Sequence, residues 1–317
     1  MKPLNKLLIL IIYIWIVLAV VFGIYDLEIS KAIVDTNSTW GTMGTNIGFH
    51  VRDSLLFIVV LILIGSFFTK KVQRDIGYFA LFISFLNYVY YNIETDEESL
   101  LAPTILIIFV SSFVVLTFNK DWKNYVKIAV MVLLLYISLK VIVDITKVLF
   151  GRVRYKYLSS TYTDYTQWYV INGPDSENQS FPSGHSAYSW LFLPFLVLTK
   201  NEKMKNPFKI LISISVISYG LFISMSRIIL GGHYCSDILF STGIASVLTI
   251  LFYKKFYPED LESMGEIKGV KRFLILDNED LMSNYSTSME KKDVVQLNKE
   301  IEPSLTHYDK HKEKVSI

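Results

Sequence analysis

The chain gathers its chemically reactive side chains in three short segments, at 147–155, 181–190 and 226–237. The first, KVLFGRVRY, carries Lys147 and Arg154 seven residues apart. A helix that continued through both would present them on one face, two turns apart. Two cations on one face can hold the oxygens of an anion such as phosphate. The alternative is a pair of cations at a helix end whose charged groups reach toward the membrane surface.

The second segment, FPSGHSAYSW, stands directly before an apolar run. Pro182 suits a first helical turn and Ser183 is a good helix cap, so a helix is predicted to begin here. The unpaired amides at a helix start attract anions, and Gly184, which lacks a Cβ, would let a phosphate approach the backbone closely. His185 could then give a proton to a leaving group. The alternative is a capped helix with an incidental histidine.

The third segment, SRIILGGHYCSD, combines a cation with a histidine and a carboxylate. Arg227 offers a planar fork of donors that fits phosphate oxygens, and the pair Gly231-Gly232 allows a sharp chain reversal. His233 and Asp237 are four residues apart, a spacing that makes them neighbours on one helix face. A carboxylate that holds one imidazole nitrogen leaves the other free as a nucleophile or base. The alternative is an interfacial pair that caps a helix.

Eight apolar runs provide the elements that must position these segments. A helix needs about 17–25 apolar residues to cross a bilayer, and most of the runs approach this length, although the second is short. A backbone in lipid must satisfy its own hydrogen bonds, so we predict an all-α polytopic helix bundle of about eight spans. The composition agrees, with 52% hydrophobic and 15% aromatic residues. The runs lie at about 7–25, 54–69, 76–92, 101–118, 126–149, 185–199, 208–226 and 236–253.

The lysines and arginines indicate the topology of these spans. With the N-terminus inside, every inner connection is basic and the outer segment 94–99 is acidic, as the positive-inside rule requires. Both termini are then cytoplasmic, and all three motifs fall at the outer ends of spans five to eight. One outer connection, 26–53, is mixed in charge, and another, 150–184, is basic, which suggests that an anion is held there. The joint placement favours one site over three incidental ones.

The formal net charge is +2, and no basic stripe with interleaved aromatics occurs, which argues against a nucleic-acid partner. Cys235 is the only cysteine, so the chain has no internal disulfide framework, and we interpret this residue as a packing residue. The sequence divides into N-terminal transmembrane helices at 1–125, a core with the three motifs at 126–257, and a polar, flexible cytoplasmic tail at 258–317.

Taken together, the three motifs resemble the tripartite signature of the type 2 phosphatidic acid phosphatases, which is shared with vanadium haloperoxidases. The resemblance covers about residues 140–240, and it is specific because three motifs occur in the right order and spacing. One departure is Tyr155, which stands where the family usually has a proline. The family core has six spans, so the two extra spans precede the first motif. The matching residues are Lys147, Arg154, Pro182, Ser183, Gly184, His185, Ser226, Arg227, His233 and Asp237.

The resemblance implies a role for each matching residue. His233 would be the nucleophile that takes the phosphoryl group, Asp237 would orient and polarise it, and His185 would protonate the leaving group. The phosphate oxygens would be bound without a metal or other cofactor. The phosphate-binding residues would be Lys147, Arg154, Ser183, Gly184 and Arg227.

The predicted function is that of an integral membrane lipid phosphatase that forms a phosphohistidine intermediate. It would act on a phosphomonoester or pyrophosphate of a bilayer lipid. Candidate substrates are polyprenyl diphosphate, phosphatidylglycerol phosphate, phosphatidic acid and phosphorylated glycolipids. We expect a bacterial plasma membrane with the active site on its outer face. A lipid phosphotransferase with the same intermediate is one alternative, and a membrane anion transporter is another.

Overall fold

The computed structural model describes residues 3–94, 100–174, 179–200 and 205–258, and within these ranges it contains helices and no strand. The prediction of an all-α helical membrane bundle is therefore confirmed. The predicted tail, from residue 259 onward, lies outside the described residues, and the domain boundary at 125 stays a prediction. The helices are α1 (Pro3–Ile33), α2 (Thr39–Gly65), α3 (Lys70–Glu94), α4 (Leu101–Thr117), α5 (Val126–Phe150), α6 (Gly184–Ser189), α7 (Asn206–Ile229) and α8 (Cys235–Phe256).

All eight predicted apolar runs fold as helices. Among the described residues, six helices are long and apolar enough to cross a membrane: α1, α2, α3, α5, α7 and α8. The other two runs are α4, with 17 residues, and α6, which continues as a 3-10 helix at Trp190–Lys200. A 3-10 helix rises about 2.0 Å per residue against about 1.5 Å in an α-helix, so this short run reaches farther than an α-helix of equal length.

The second span differs from its prediction. Helix α2 begins at Thr39, where the side chain of Ser38 caps it. The apolar run 54–69 therefore covers only the second half of this helix. The predicted outer connection 26–53 is therefore mostly helical, since α1 also continues to Ile33. Glycines place the polar half of α2 close to α7: a Cβ added at Gly44 would lie 2.7 Å from the Cβ of Ser226.

The hydrophobic core is centred on α5. Leu135, Leu139 and Val143 are buried in it, and Ala187 and Leu191 from the sixth run belong to the same apolar cluster. Helix α5 ends at Phe150, and α7 ends at Ile229, whereas α6 and α8 begin at the motifs that follow. The three motifs are therefore brought to one end of the bundle. Backbone hydrogen bonds join them there, because Ser180 N donates to Arg152 O (2.7 Å) and Ser183 N donates to Asp237 O (3.2 Å).

Candidate active site

The first motif does not lie on one continuous helix. Helix α5 ends at Phe150 because Gly151 adopts the left-handed conformation (φ 50°), where a Cβ would meet the carbonyl oxygen of Gly173 at 2.0 Å. Arg154 follows in an extended conformation, so the prediction that a continuing helix aligns it with Lys147 is wrong. The two cations are nevertheless close enough to interact electrostatically, because the chain turns back over the end of α5.

The second motif starts α6 as predicted, with Ser183 as its cap. The Ser183 hydroxyl accepts a hydrogen bond from Ser186 N (3.4 Å), and Pro182 precedes the cap instead of occupying the first turn. The Ser183 carbonyl accepts a hydrogen bond from the hydroxyl of Ser241 (2.8 Å), which fixes the start of α6 against α8. A Cβ added at Gly184 would lie 3.9 Å from Nζ of Lys147. Gly184 therefore lies next to the ammonium group of the first motif, between the side chains of Val143 and Tyr188.

The third motif folds tightly around Arg227 in the last turn of α7. The amides of Gly232 and His233 both donate to the Arg227 carbonyl (3.1 and 3.2 Å), and Gly231 has a positive φ of 63°. A Cβ at Gly232 would lie 2.7 Å from Nη2 of Arg227, so the guanidinium needs glycine there. From α2, the Thr45 hydroxyl accepts a hydrogen bond from Nη1 of Arg227 (2.7 Å). These contacts fix the direction of the guanidinium.

His233 precedes α8, so the prediction that it shares a helix face with Asp237 is wrong. Helix α8 begins at Cys235, and Nδ1 of His233 lies 2.7 Å from the carbonyl oxygen of Ser180 and 3.5 Å from Oδ2 of Asp237. A carbonyl can only accept a hydrogen bond, so Nδ1 carries the proton and Nε2 keeps its lone pair. Burial lowers the pKa of His233 to about 4, although Asp237 opposes this shift. At pH 7 the imidazole is therefore neutral, and the lone pair of Nε2 is available to an electrophile.

Asp237 is buried and acts on several groups at once. Its Oδ2 accepts a hydrogen bond from the amide of Tyr234 (2.9 Å), the residue directly before α8. The same oxygen accepts a hydrogen bond from the hydroxyl of Ser180. The capping alternative and the orienting role are thus compatible. Asp237 holds the residue whose carbonyl binds Nδ1 of His233, and this places the imidazole.

Arg152, which the sequence did not single out for this site, is the main counter-charge of Asp237. Its side chain is only 1% exposed, and Nη1 donates to Oδ1 of Asp237 at 2.7 Å. Nη2 lies 3.1 Å from Oδ2 of Asp26 in α1, and the guanidinium carbon lies 3.9 Å from the ring centroid of Tyr234. Ser236 joins the same network through Nη1 of Arg152 (2.8 Å). A carboxylate such as Asp26 in an apolar helix signals a buried partner, and this signal was available in the sequence.

Four buried polar atoms of the motifs have no hydrogen-bond partner among the residues that the structure describes. They are Nε2 of His185, Nε of Arg154, Nε of Arg227 and the hydroxyl of Tyr234. Unpaired buried donors are costly, so such a group marks a place where a ligand can accept. The side chains also interact electrostatically: His185 with Arg227, Lys147 and His233, and Arg227 with Arg154. The structure thus brings together both histidines and the three predicted cations, and the set suits an anion with several acceptor oxygens.

Helix α2 adds side chains that sequence reasoning did not assign to the site. Besides Thr45, it contributes Phe49, whose ring centroid lies 3.9 Å from that of His185 in an edge-on arrangement. Arg52 follows one turn later and interacts electrostatically with His185. The apolar pattern assigns these residues to an outer connection, and only the longer course of α2 brings them beside the histidine.

The family model of the PAP2 superfamily matches residues 124–260, which include all three motifs. The match agrees with the type 2 phosphatidic acid phosphatase signature. Together with the membrane-spanning helices, it supports a membrane protein of phosphatase type. No curated protein and no solved structure matches the chain. Helices α1 to α4 lie before the matched segment.

Proposed function

We propose that the protein hydrolyses a phosphate ester or diphosphate of a membrane lipid through a phosphohistidine intermediate on His233. The observation that carries this proposal is the imidazole of His233, whose Nδ1 is bound by the carbonyl of Ser180. Its remaining nitrogen, Nε2, is thereby available as the nucleophile. Beside it stand three cations and the unpaired donors of the motifs, which can stabilise the oxygens of a transferring phosphoryl group.

In the first step, Nε2 of His233 attacks phosphorus and forms an N–P bond. The P–O bond to the leaving group breaks, its electron pair stays on the oxygen, and His185 gives that oxygen a proton. The negative charge of the bound substrate favours the protonated form of His185 that this step needs. The phosphoryl oxygens are bound by Lys147, Arg154 and Arg227, so catalysis rests on positioning and charge.

In the second step, water attacks the phosphohistidine and His185 takes a proton from it. The N–P bond breaks, inorganic phosphate is released, and Nε2 of His233 recovers its lone pair. An alcohol in place of water would give a phosphotransferase, with the phosphoryl group moved to a second molecule. Product analysis separates the two reactions, because transfer leaves no free phosphate.

The distribution of charged residues supports a site at the outer leaflet, with both termini in the cytoplasm. A bacterial plasma membrane is the proposed location. The lipid chain would reach the site sideways, between helices, because the motifs lie at the end of the bundle while the chain stays in the bilayer. Polyprenyl diphosphate, phosphatidylglycerol phosphate, phosphatidic acid and phosphorylated glycolipids remain candidate substrates.

Phosphate release from purified protein tests this function. We expect release from at least one of the four lipid classes, and we expect the rate to be unchanged by EDTA, because three cations supply the charge that a metal ion would otherwise provide. Inorganic phosphate is measured over time, with the Lys31→Gln variant as a surface-charge control. Absence of release from all four classes would contradict the function, and a requirement for a divalent ion would contradict the metal-free reaction.

A further inference from the structure

Three residues of α2 lie along the site in the same order as the groups of a lipid diphosphate. Thr45 accepts a hydrogen bond from Arg227, one of the cations for the transferred phosphoryl group. Phe49, one turn later, packs against His185, the acid for the leaving oxygen. Arg52 comes next along α2. Successive residues of a helix rise by about 1.5 Å, so Thr45 and Arg52 are about 10 Å apart along the axis.

The side chain of Arg52 leans back toward His185. Its guanidinium carbon lies 5.2 Å from the ring centroid of Phe49 and 5.4 Å from that of Tyr188, which follows His185 on α6. Helical side chains point toward the N-terminus of their helix, and this direction brings the guanidinium over the preceding turn of α2. The positive charge of Arg52 adds to burial, the largest cause, in lowering the pKa of His185. The guanidinium of Arg52 therefore lies beyond His185, the acid for the leaving group. A lipid monophosphate has no second phosphate that could bind there.

Arg52 is available to a ligand. Its side chain is 19% exposed, and its present partner is the neighbouring Asp53, at 2.7 Å from Nη2. The Asp53 side chain is 60% exposed, so the carboxylate has room to move away when a phosphate takes its place as the partner of the guanidinium. A guanidinium can bind two phosphate oxygens at once.

We propose that Arg52 binds the phosphate that stays on the lipid when the terminal phosphate of a lipid diphosphate is transferred to His233. The assignment rests on the proposed function. In this step the N–P bond forms at His233, the bond from that phosphorus to the bridging oxygen breaks, and the electron pair stays on the bridging oxygen, which His185 protonates. A lipid monophosphate leaves, and its charge is held by Arg52 while the bond breaks. Arg52 thus makes the site prefer diphosphates.

The test compares a polyprenyl diphosphate with the matching polyprenyl monophosphate, in wild type and in Arg52→Gln. We expect wild type to have at least a tenfold higher kcat/KM for the diphosphate. In Arg52→Gln that value falls by about tenfold to hundredfold, as expected for loss of hydrogen bonds to a charged group, while the value for the monophosphate changes by less than about threefold. Lys31→Gln is the control, because it removes the cation of another exposed ion pair, Lys31–Glu28. It leaves the ratio of the two kcat/KM values, diphosphate to monophosphate, unchanged.

Asp53→Asn separates substrate binding from a structural role of the ion pair. It removes the carboxylate that competes with the substrate for Arg52, so the KM for the diphosphate stays the same or falls. If the ion pair had a structural role instead, both Arg52→Gln and Asp53→Asn would lose activity toward both substrates. An equal loss for both lipids in Arg52→Gln, or no loss, would overturn the assignment. If Arg52→Gln does not fold, the wild type alone decides. A kcat/KM for the diphosphate that is no higher than the kcat/KM for the monophosphate overturns the assignment. Failure of wild type to release phosphate from either lipid would instead refute the proposed function.

Discussion

Replacing His233 by glutamine is expected to lower the kcat/KM for every lipid phosphate by about 10⁴-fold or more, because the variant has no nitrogen lone pair to attack phosphorus. The amide nitrogen of glutamine can still donate to the carbonyl of Ser180, so the loop before α8 is expected to keep its shape. Thermal unfolding in detergent should therefore stay close to that of wild type. Rates of phosphate release over the whole lipid panel provide the measurement.

His50→Gln is the matched control for this substitution. His50 lies on α2 and belongs to none of the three motifs. We expect the control to change the rate by less than about threefold, within the range of ordinary surface substitutions. Turnover that survives in His233→Gln at more than a small fraction of the wild-type rate would show that another group attacks phosphorus.

Replacing Arg152 by glutamine is expected to destabilise the protein by about 3–5 kcal/mol, because it leaves two buried carboxylates without their shared counter-charge. Asp26 and Asp237 are both 0% exposed, and each lies within hydrogen-bonding distance of the guanidinium. Activity should fall through kcat, with KM almost unchanged, because Arg152 does not reach the substrate and acts through Asp237 and His233. Unfolding temperatures and steady-state kinetics in detergent measure the two effects.

Two further variants keep this prediction testable if Arg152→Gln fails to fold. Asp26→Asn removes the carboxylate of α1 and leaves the pair between Arg152 and Asp237, so we expect a smaller loss of stability and a largely preserved kcat. Lys156→Gln, an exposed cation of the same segment, is the control and should change neither value. An Arg152→Gln protein with wild-type stability and kcat would show that the buried network has no part in positioning Asp237.

The short-range features of the site could be predicted from the sequence. Both histidines, the three cations and Asp237 lie in motifs of ten residues or so, and their spacing is enough to recognise them. The role of Arg152 could not be predicted, because its partners are distant in the chain: Asp237 is 85 residues away and Asp26 is 126 residues away. The spacing of residues does not indicate which of several neighbouring cations is buried and paired with such distant carboxylates.

Local helix geometry accounts for the other errors. The left-handed Gly151 ends α5 before Arg154, and the Tyr234 cap starts α8 after His233, so two spacings that look helical span a helix end. In both cases the loop beyond the helix end, and not a shared helix face, brings the two residues of the motif together. The polar start of α2 was missed because its glycines lower the apolar signal, although small residues at a spacing of three or four are typical of close helix packing.

The central claim is that His233 forms a covalent bond to phosphorus, and trapping that species tests it most directly. Protein mixed rapidly with a lipid labelled with ³²P at its terminal phosphate is denatured in alkali during turnover, and the labelled peptide is identified by mass spectrometry. We expect one label, stable in alkali and labile in acid, at His233, and none in His233→Gln. A label on a serine, or continued turnover by His233→Gln with no phosphohistidine in wild type, would contradict it.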